Sequence, residues 1–297
     1  MKQMWDPTIL ARAAALQLQA RRLVWGYRHG RHRSPQISKS IEFVGHKEYT
    51  PGDSIRDIDW RVVARSEKLL VRRHQAESEH SIIVVVDASG DMATADGRLP
   101  ALDRSKFGYA LTLAASFLLL LQRRGERVGL AIWGGEGWHN NWLPPRRSSV
   151  HLAELLTNLA ATQPSGEARL AENLGSLSQK IPRRSMVCIF SDFMEEPAEW
   201  GPRLLALSAQ GADIRVAHLH SSKEFSLELE DSARLYSFEG GDSLPIEPDN
   251  VRMAFRTIVQ DYLREVNAWA TKSRSLWIPT PFEEQPVHSF LRLIQGV

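Results

Sequence analysis

Cysteine is nearly missing from this chain. Cys188 is the single one in 297 residues, so no internal disulfide can form, and the composition reads as that of a protein kept in a reducing compartment. It lies in the apolar run MVCIF, where a thiol is an inert core residue rather than a nucleophile. Long apolar runs are missing too. The richest stretch, FGYALTLAASFLLLL at 107–121, is shorter than the ~20 residues needed to span a bilayer and reads as a helix buried against a sheet. The start, MKQMWDPTIL, has neither the apolar region nor the small-residue cleavage site of a signal peptide. A cytoplasmic protein is therefore expected. Charge of one sign is also lacking, since the net charge is +2, which removes any whole-molecule attraction to nucleic acid or acidic lipid.

The catalytic and nucleotide-binding signatures are absent as well. There is no G-x-x-x-x-G-K-[ST] and no G-x-G-x-x-G after a strand, so phosphate cradles have no support. No H-E-x-x-H or paired C-x-x-C argues for zinc. G-x-S-x-G is missing and Ser89 has no His partner in view, which leaves a serine hydrolase without its parts. His218 and His220 share one face of a strand end, but two histidines without a third ligand read as ordinary polar residues.

What the chain does have is residues 81–92, SIIVVVDASGDM. Five β-branched apolar residues in a row, Ile82 to Val86, read as a strand buried on both faces in the middle of a parallel sheet. The carboxyl ends of such strands are where open α/β sheets place their sites. Asp87, Ser89 and Asp91 alternate there, and a turn that bends them inward gathers hard oxygen donors of the kind that suit Mg²⁺. An Asx-turn or helix N-cap uses the same residues. Both readings stand at this point.

Around this strand the elements alternate. A helix over 103–124 ends at Gly125, and a strand at 127–133 leads through Gly134, Gly135 and Gly137 into a short antiparallel strand at 138–143. Helices follow at 149–160 and 167–180, then a strand at 186–190 that ends in Ser191-Asp192, a second carboxylate at a strand end. A helix at 199–210, a strand at 214–219, a hairpin within 225–238, a helix over 249–272, a strand at 276–278 and a helix at 286–294 complete the pattern. This alternation predicts an α/β fold with a doubly wound, mostly parallel sheet of Rossmann type. Ahead of it, 7–29 forms a helix with an apolar stripe at Ile9, Ala13, Leu16, Ala20, Leu23 and Tyr27, expected to dock on the main body. An irregular, partly β arm follows. The expected division is 1–80 for helix and arm and 81–297 for the main domain.

The amino-terminal segment is basic: no Asp or Glu occurs between Asp6 and Glu42, whereas Arg12, Arg21, Arg22, Arg28, Arg31, Arg33 and Lys39 do. It is either a solvated, internally paired face or a surface for phosphates and acidic partners. Nucleic-acid binding would be strongly salt-dependent and lost on replacing Arg21, Arg22 and Arg28. The arm's dense stretch, EFVGHKEYTPGDSIRDIDWRVVARSEKLLVRR, runs from Glu42 to Arg73. Tyr49-Thr50-Pro51-Gly52-Asp53 is type II turn chemistry. Arg56, Asp57, Asp59, Trp60, Arg61 and Arg65 then mix charges around one large aromatic. A self-satisfied ion-pair network around a buried Trp is the favoured reading, a recognition surface the other.

The Y-x-P-G-D-x-x-R-x-I-D-W core from Tyr49 to Trp60, followed by the buried strand and DASGDM, resembles the domain of unknown function 58 family, built on a von Willebrand factor type A-like fold. The resemblance implies a metal-ion-dependent adhesion site in which Asp87, Ser89 and Asp192 hold Mg²⁺ and a partner's carboxylate completes the shell. Asp91 stands where that pattern has a second Ser. Ala168, in Gly166-Glu167-Ala168, stands where it has a Thr, so the site is degenerate. The family implies no catalysis. What it implies is a protein-interaction module working with a MoxR-type AAA+ ATPase on client proteins, with Tyr49, Pro51, Gly52, Asp53, Arg56, Asp59, Trp60 and Arg65 as signature or partner-binding residues. The alternative is a metal-dependent hydrolase in which Asp87, Asp91 and Asp192 surround Mg²⁺.

Overall fold

The structure is a computed structural model, and it describes residues 6–29, 43–50, 58–60, 62–63, 69–74, 81–94, 105–134, 142–222, 224, 234–235, 244–245 and 248–295. The chain forms two compact units, one of residues 1–33 with 81–297 and the other of residues 34–80. The amino-terminal helix thus groups with the main body and not, as its place in the sequence suggests, with the arm.

In the smaller unit β1 (Phe43–Glu48) pairs antiparallel with β2 (Leu70–His74). Ile58 bridges to Val71, and both are buried. The Asp59 N–H donates to the Leu70 carbonyl at 3.0 Å, and the Asp59 carbonyl accepts from Val62 and Val63 at 2.9 and 3.0 Å, closing a tight turn. Pro51, Gly52, Asp53, Arg56 and Arg65 lie outside the described residues.

The main body is built on a six-stranded sheet in the order β10–β7–β6–β3–β4–β5. These strands are β3 (Ser81–Ala88), β4 (Arg127–Gly134), β5 (Trp142–Arg146), β6 (Met186–Ser191), β7 (Asp213–His220) and β10 (Leu276–Pro281). Every pairing is parallel except β4 with β5. The all-buried run of β3 occupies the middle, as its composition requires. Its alternate residues serve two faces. Ile83 and Val85 join a core with Leu174, Leu177, Trp200, Leu204 and Val266 from α4 (Leu170–Lys180), α5 (Pro197–Ala209) and α6 (Pro248–Lys272). On α2 (Lys106–Arg123), Phe117 meets Phe190 of β6 edge to face at 5.9 Å and Phe290 of α7 (Pro286–Gln295) at 5.1 Å.

The helix α1 (Pro7–His29) is capped by Asp6, whose Oδ1 accepts from the Thr8 N–H at 2.8 Å. It packs on α2 and on α3 (Ser149–Ala161) through Ala13, Leu16, Ala20 and Val24, all buried. Val24 is buried beside the expected Leu23, which is half-buried, and nothing is described for the Tyr27 side chain.

Among the boundaries that differ from expectation, three have a clear physical reason or change the pairing. The helix expected from 167 begins at Leu170, because Arg169 takes φ 47° and the Leu170 N–H is held by Glu195 at 2.8 Å. The antiparallel strand covers 142–146, and its prolines are tolerated because β5 is an edge strand. In place of a hairpin confined to 225–238, β8 (Arg234–Leu235) pairs with β9 (Leu244–Pro245). Among the described residues no helix is long and apolar enough to cross a membrane.

Candidate functional site

The connection leaving β3 runs through α2 to β4 on one side, whereas β6 lies on the other side of β3. The chain therefore diverges in opposite directions between β3 and β6, which is the crevice where open sheets gather polar groups. Val86 is in register with Phe190, so Asp87 and Ser191-Asp192 leave the two strands side by side. Sequence residues more than a hundred apart meet here. The Ser191 hydroxyl donates to Asp87 Oδ2 at 2.5 Å, and the Ser89 N–H donates to Asp87 Oδ1 at 2.8 Å. The second contact is an Asx-turn, and it leads into a 3₁₀ turn, Gly90–Ala93, that Ser89 starts without a side-chain cap.

Asp87 is 0% exposed. Burial, with the Asp192 charge added, pushes its carboxyl up to about 7 against the pull of Ser191 and Ser89. Asp91 is half-buried, and its pKa is raised by burial and by Asp192 and Glu224, with Lys106 opposing. The loop before α4 joins the cluster through its backbone: the Gly90 N–H donates to the Gly166 carbonyl at 2.8 Å and the Ser165 N–H to the Ala88 carbonyl at 2.9 Å. On the opposite flank Gly134 takes φ 68°, and a Cβ there would stand 3.0 Å from the Ser89 nitrogen. Only a glycine lets β4 end this close to the Asp87 loop.

Asp192 is 3% exposed, and its Oδ2 accepts from the ammonium of Lys106 at 2.7 Å. The same ammonium lies 2.9 Å from Glu224 Oε1. Burial opposes a charged Lys106, yet Asp192 and then Glu224 outweigh it, so its pKa is raised. Phe193, fully buried, takes φ 50°, a left-handed conformation costly for an aromatic residue. Its N–H reaches Ser191 Oγ at 3.0 Å and its carbonyl accepts the Tyr262 hydroxyl at 2.6 Å, which holds the turn in place. His218 sets its Nε2 3.0 Å from the Asp192 carbonyl, and burial lowers its pKa to about 3. Neutral and engaged with a carbonyl, it is a positioning group for this turn. The neighbouring His220 ring lies 6.0 Å away, centroid to centroid.

The structure thus brings Asp87, Ser89, Asp91 and Asp192 to one rim. It adds Ser191, Lys106 and Glu224, which the sequence had not singled out. In sequence Lys106 is one lysine opening an apolar helix, and its partners lie far along the chain; only the SD pair after β6 hinted at Ser191.

A divalent ion does not fit the residues present. Both Asp87 oxygens accept hydrogen bonds, from Ser89 and Ser191, Asp192 Oδ2 is paired with an ammonium, and Ala168 offers no side-chain oxygen. Among the described residues no group of three or more His, Cys, Asp or Glu side chains is placed to hold a metal.

In the arm, Trp60 is exposed. This corrects the network around a buried tryptophan: Asp59 is the buried member of the pair, and the turn it closes turns the indole outward.

Residues 45–265 match the family described as "Protein of unknown function DUF58". Uncharacterized proteins of Mycobacterium tuberculosis and Mycobacterium bovis are 31% identical over 211 residues, a match covering 69% of this chain and 63% of theirs. Among solved structures, the conserved hypothetical protein BatB from Bacteroides thetaiotaomicron aligns with TM-score 0.44 at 10% identity over 73% of this chain and 96% of its own. The SpRpn10 VWA domain aligns with TM-score 0.44 at 12% identity over 73% and 98%. With nearly three quarters of its length inside the family match, the chain belongs to the DUF58 family of proteins of unknown function.

Proposed function

We propose that this chain is a non-enzymatic protein-interaction module that works beside a MoxR-type AAA+ ATPase in the assembly or activation of client proteins, in the cytoplasm where such an ATPase finds ATP. The observation that carries the reading is Trp60, which stands 62% exposed within the family's signature motif. A large aromatic costs solvent exposure and repays it when a partner buries it, which is why tryptophan is enriched among interface residues that dominate binding energy. The hydrogen-bonded turn at Asp59 presents it on ordered backbone. At the sheet rim Met194 is 57% exposed just beyond Asp192, an adaptable apolar contact beside charged groups.

The hydrolase alternative needs a free general base and an open metal seat. The internal engagement of Asp87 and Asp192 supports the interaction reading over it.

The test is capture of a purified MoxR-type ATPase from the same genome by the tagged full chain, with affinity measured by titration. Trp60→Ala is expected to weaken binding by at least about tenfold while leaving the melting temperature unchanged. Equal affinity for the variant, or no capture by the parent chain, would sink the proposal.

A further inference from the structure

We infer that the Lys106 ammonium is the built-in cation of this rim, held by Asp192, one of the residues to which the sequence resemblance assigns Mg²⁺, and that Glu224 supplies from within the chain the carboxylate a partner would bring to the ion. The rim is then complete without a divalent metal.

The argument starts from the cost of the lysine. Lys106 is 1% exposed and opens α2, where the helix dipole disfavours positive charge. A buried ammonium in such a place is kept only if carboxylates surround it. Two do, Asp192 Oδ2 at 2.7 Å and Glu224 Oε1 at 2.9 Å. Helix α2 has its own cap in Ser105, whose hydroxyl accepts from the Gly108 N–H at 3.0 Å, so the lysine is not needed to start the helix. Glu224 is fixed in turn: its Oε2 accepts the Ser221 N–H at 2.8 Å, directly after β7.

The remaining oxygen donors agree. Asp87 accepts a hydrogen bond at each oxygen, from the Ser89 N–H and the Ser191 hydroxyl, which fixes its carboxylate within the loop. A divalent ion reaching Asp192 would meet the ammonium at short range, a like-charge contact in a site with little water to screen it. The substitutions at the metal-binding pattern then form one set. Ala168 lacks a ligand oxygen, and Lys106 brings a positive charge to Asp192.

The inference stands or falls separately from the interaction reading, because its tests use only the purified full chain and metal ions. Calorimetric titration of the metal-free chain with MgCl₂ and with MnCl₂ is expected to give no saturable heat at millimolar ion. One-site binding that disappears in Asp192→Asn would overturn it. Lys106→Met is expected to lower the melting temperature by about 10 °C, because it strands two carboxylates, and Mn²⁺ is expected to recover part of that loss in the variant while leaving the parent unmoved. A Lys106→Met variant as stable as the parent would overturn the inference. If Lys106→Met does not fold, Lys106→Met with Asp192→Asn and Glu224→Gln, neutral at all three positions, is expected to fold. Failure of the triple variant to recover would also overturn the inference.

Discussion

At the scale of single residues, the rim sets two titrating groups against each other. His218 has its pKa lowered to about 3 by burial, so the folded state resists its protonation, and its contribution to stability is lost as pH falls below the unfolded value near 6.5. Asp87 is raised to about 7, chiefly by burial, so the folded state binds a proton more tightly there, and stability falls as pH rises from about 4 to about 7. Over pH 4–6.5 the slopes oppose, each at most about 1.4 kcal/mol per pH unit. Thermal melts across that window test this directly. Relative to the parent, His218→Gln is expected to lose stability with rising pH, and Asp87→Asn to gain it. Parallel profiles for the two variants would contradict the assignment. Local chemistry explains why these residues were only partly legible. An Asx-turn and a metal loop use the same D-x-S-x-D letters, and only the long-range contacts to Ser191 and Lys106 tell them apart. Lysine is the residue a sequence reader sends to solvent first. Trp60 illustrates the converse, since a tryptophan is expected to be covered and this one is exposed.

At the scale of elements, the sheet was the legible part. A run of five β-branched residues leaves few options besides a central strand, and β3 is buried along its whole length. Helix boundaries were less legible where tertiary contacts decide them, as at Leu170, whose start depends on Glu195 from another loop. Helix packing was not legible at all at Gly201 of α5. A Cβ built there would come within 2.3 Å of the Trp269 ring of α6, so the two helices touch backbone to indole. Gly201→Ala is therefore expected to destabilise the fold by about 1–3 kcal/mol, despite the better helix propensity of alanine. Denaturant melts measure this, and a stabilised variant would show that the indole moves aside at little cost. Lys272 lies 4.5 Å over the same ring, which makes such a movement more expensive.

At the scale of the whole molecule, the order of elements and the doubly wound class are legible in the residues, whereas a division at residue 80 is not what the fold adopts. The actual grouping joins residues 1–33 to 81–297. The reason lies in α1, whose small and apolar residues Ala13, Leu16, Ala20 and Val24 fit closely on α2 and α3. Stripe composition signalled docking without signalling where. Removing residues 1–33 is expected to lower stability by about 2–5 kcal/mol, since it uncovers the helical surface beneath. Calorimetric melting of the truncated chain checks this, and an unchanged transition would mean that the helix is an ornament.

Because α1 precedes residues 34–80 and is seated in the body that follows them, the smaller unit is an insertion whose two ends both return to one host. A single backbone cut inside it is expected to leave the two fragments together, since α1 packs on α2 and α3. Whatever binds that insertion therefore holds a segment whose two ends both continue, along the chain, into the larger unit.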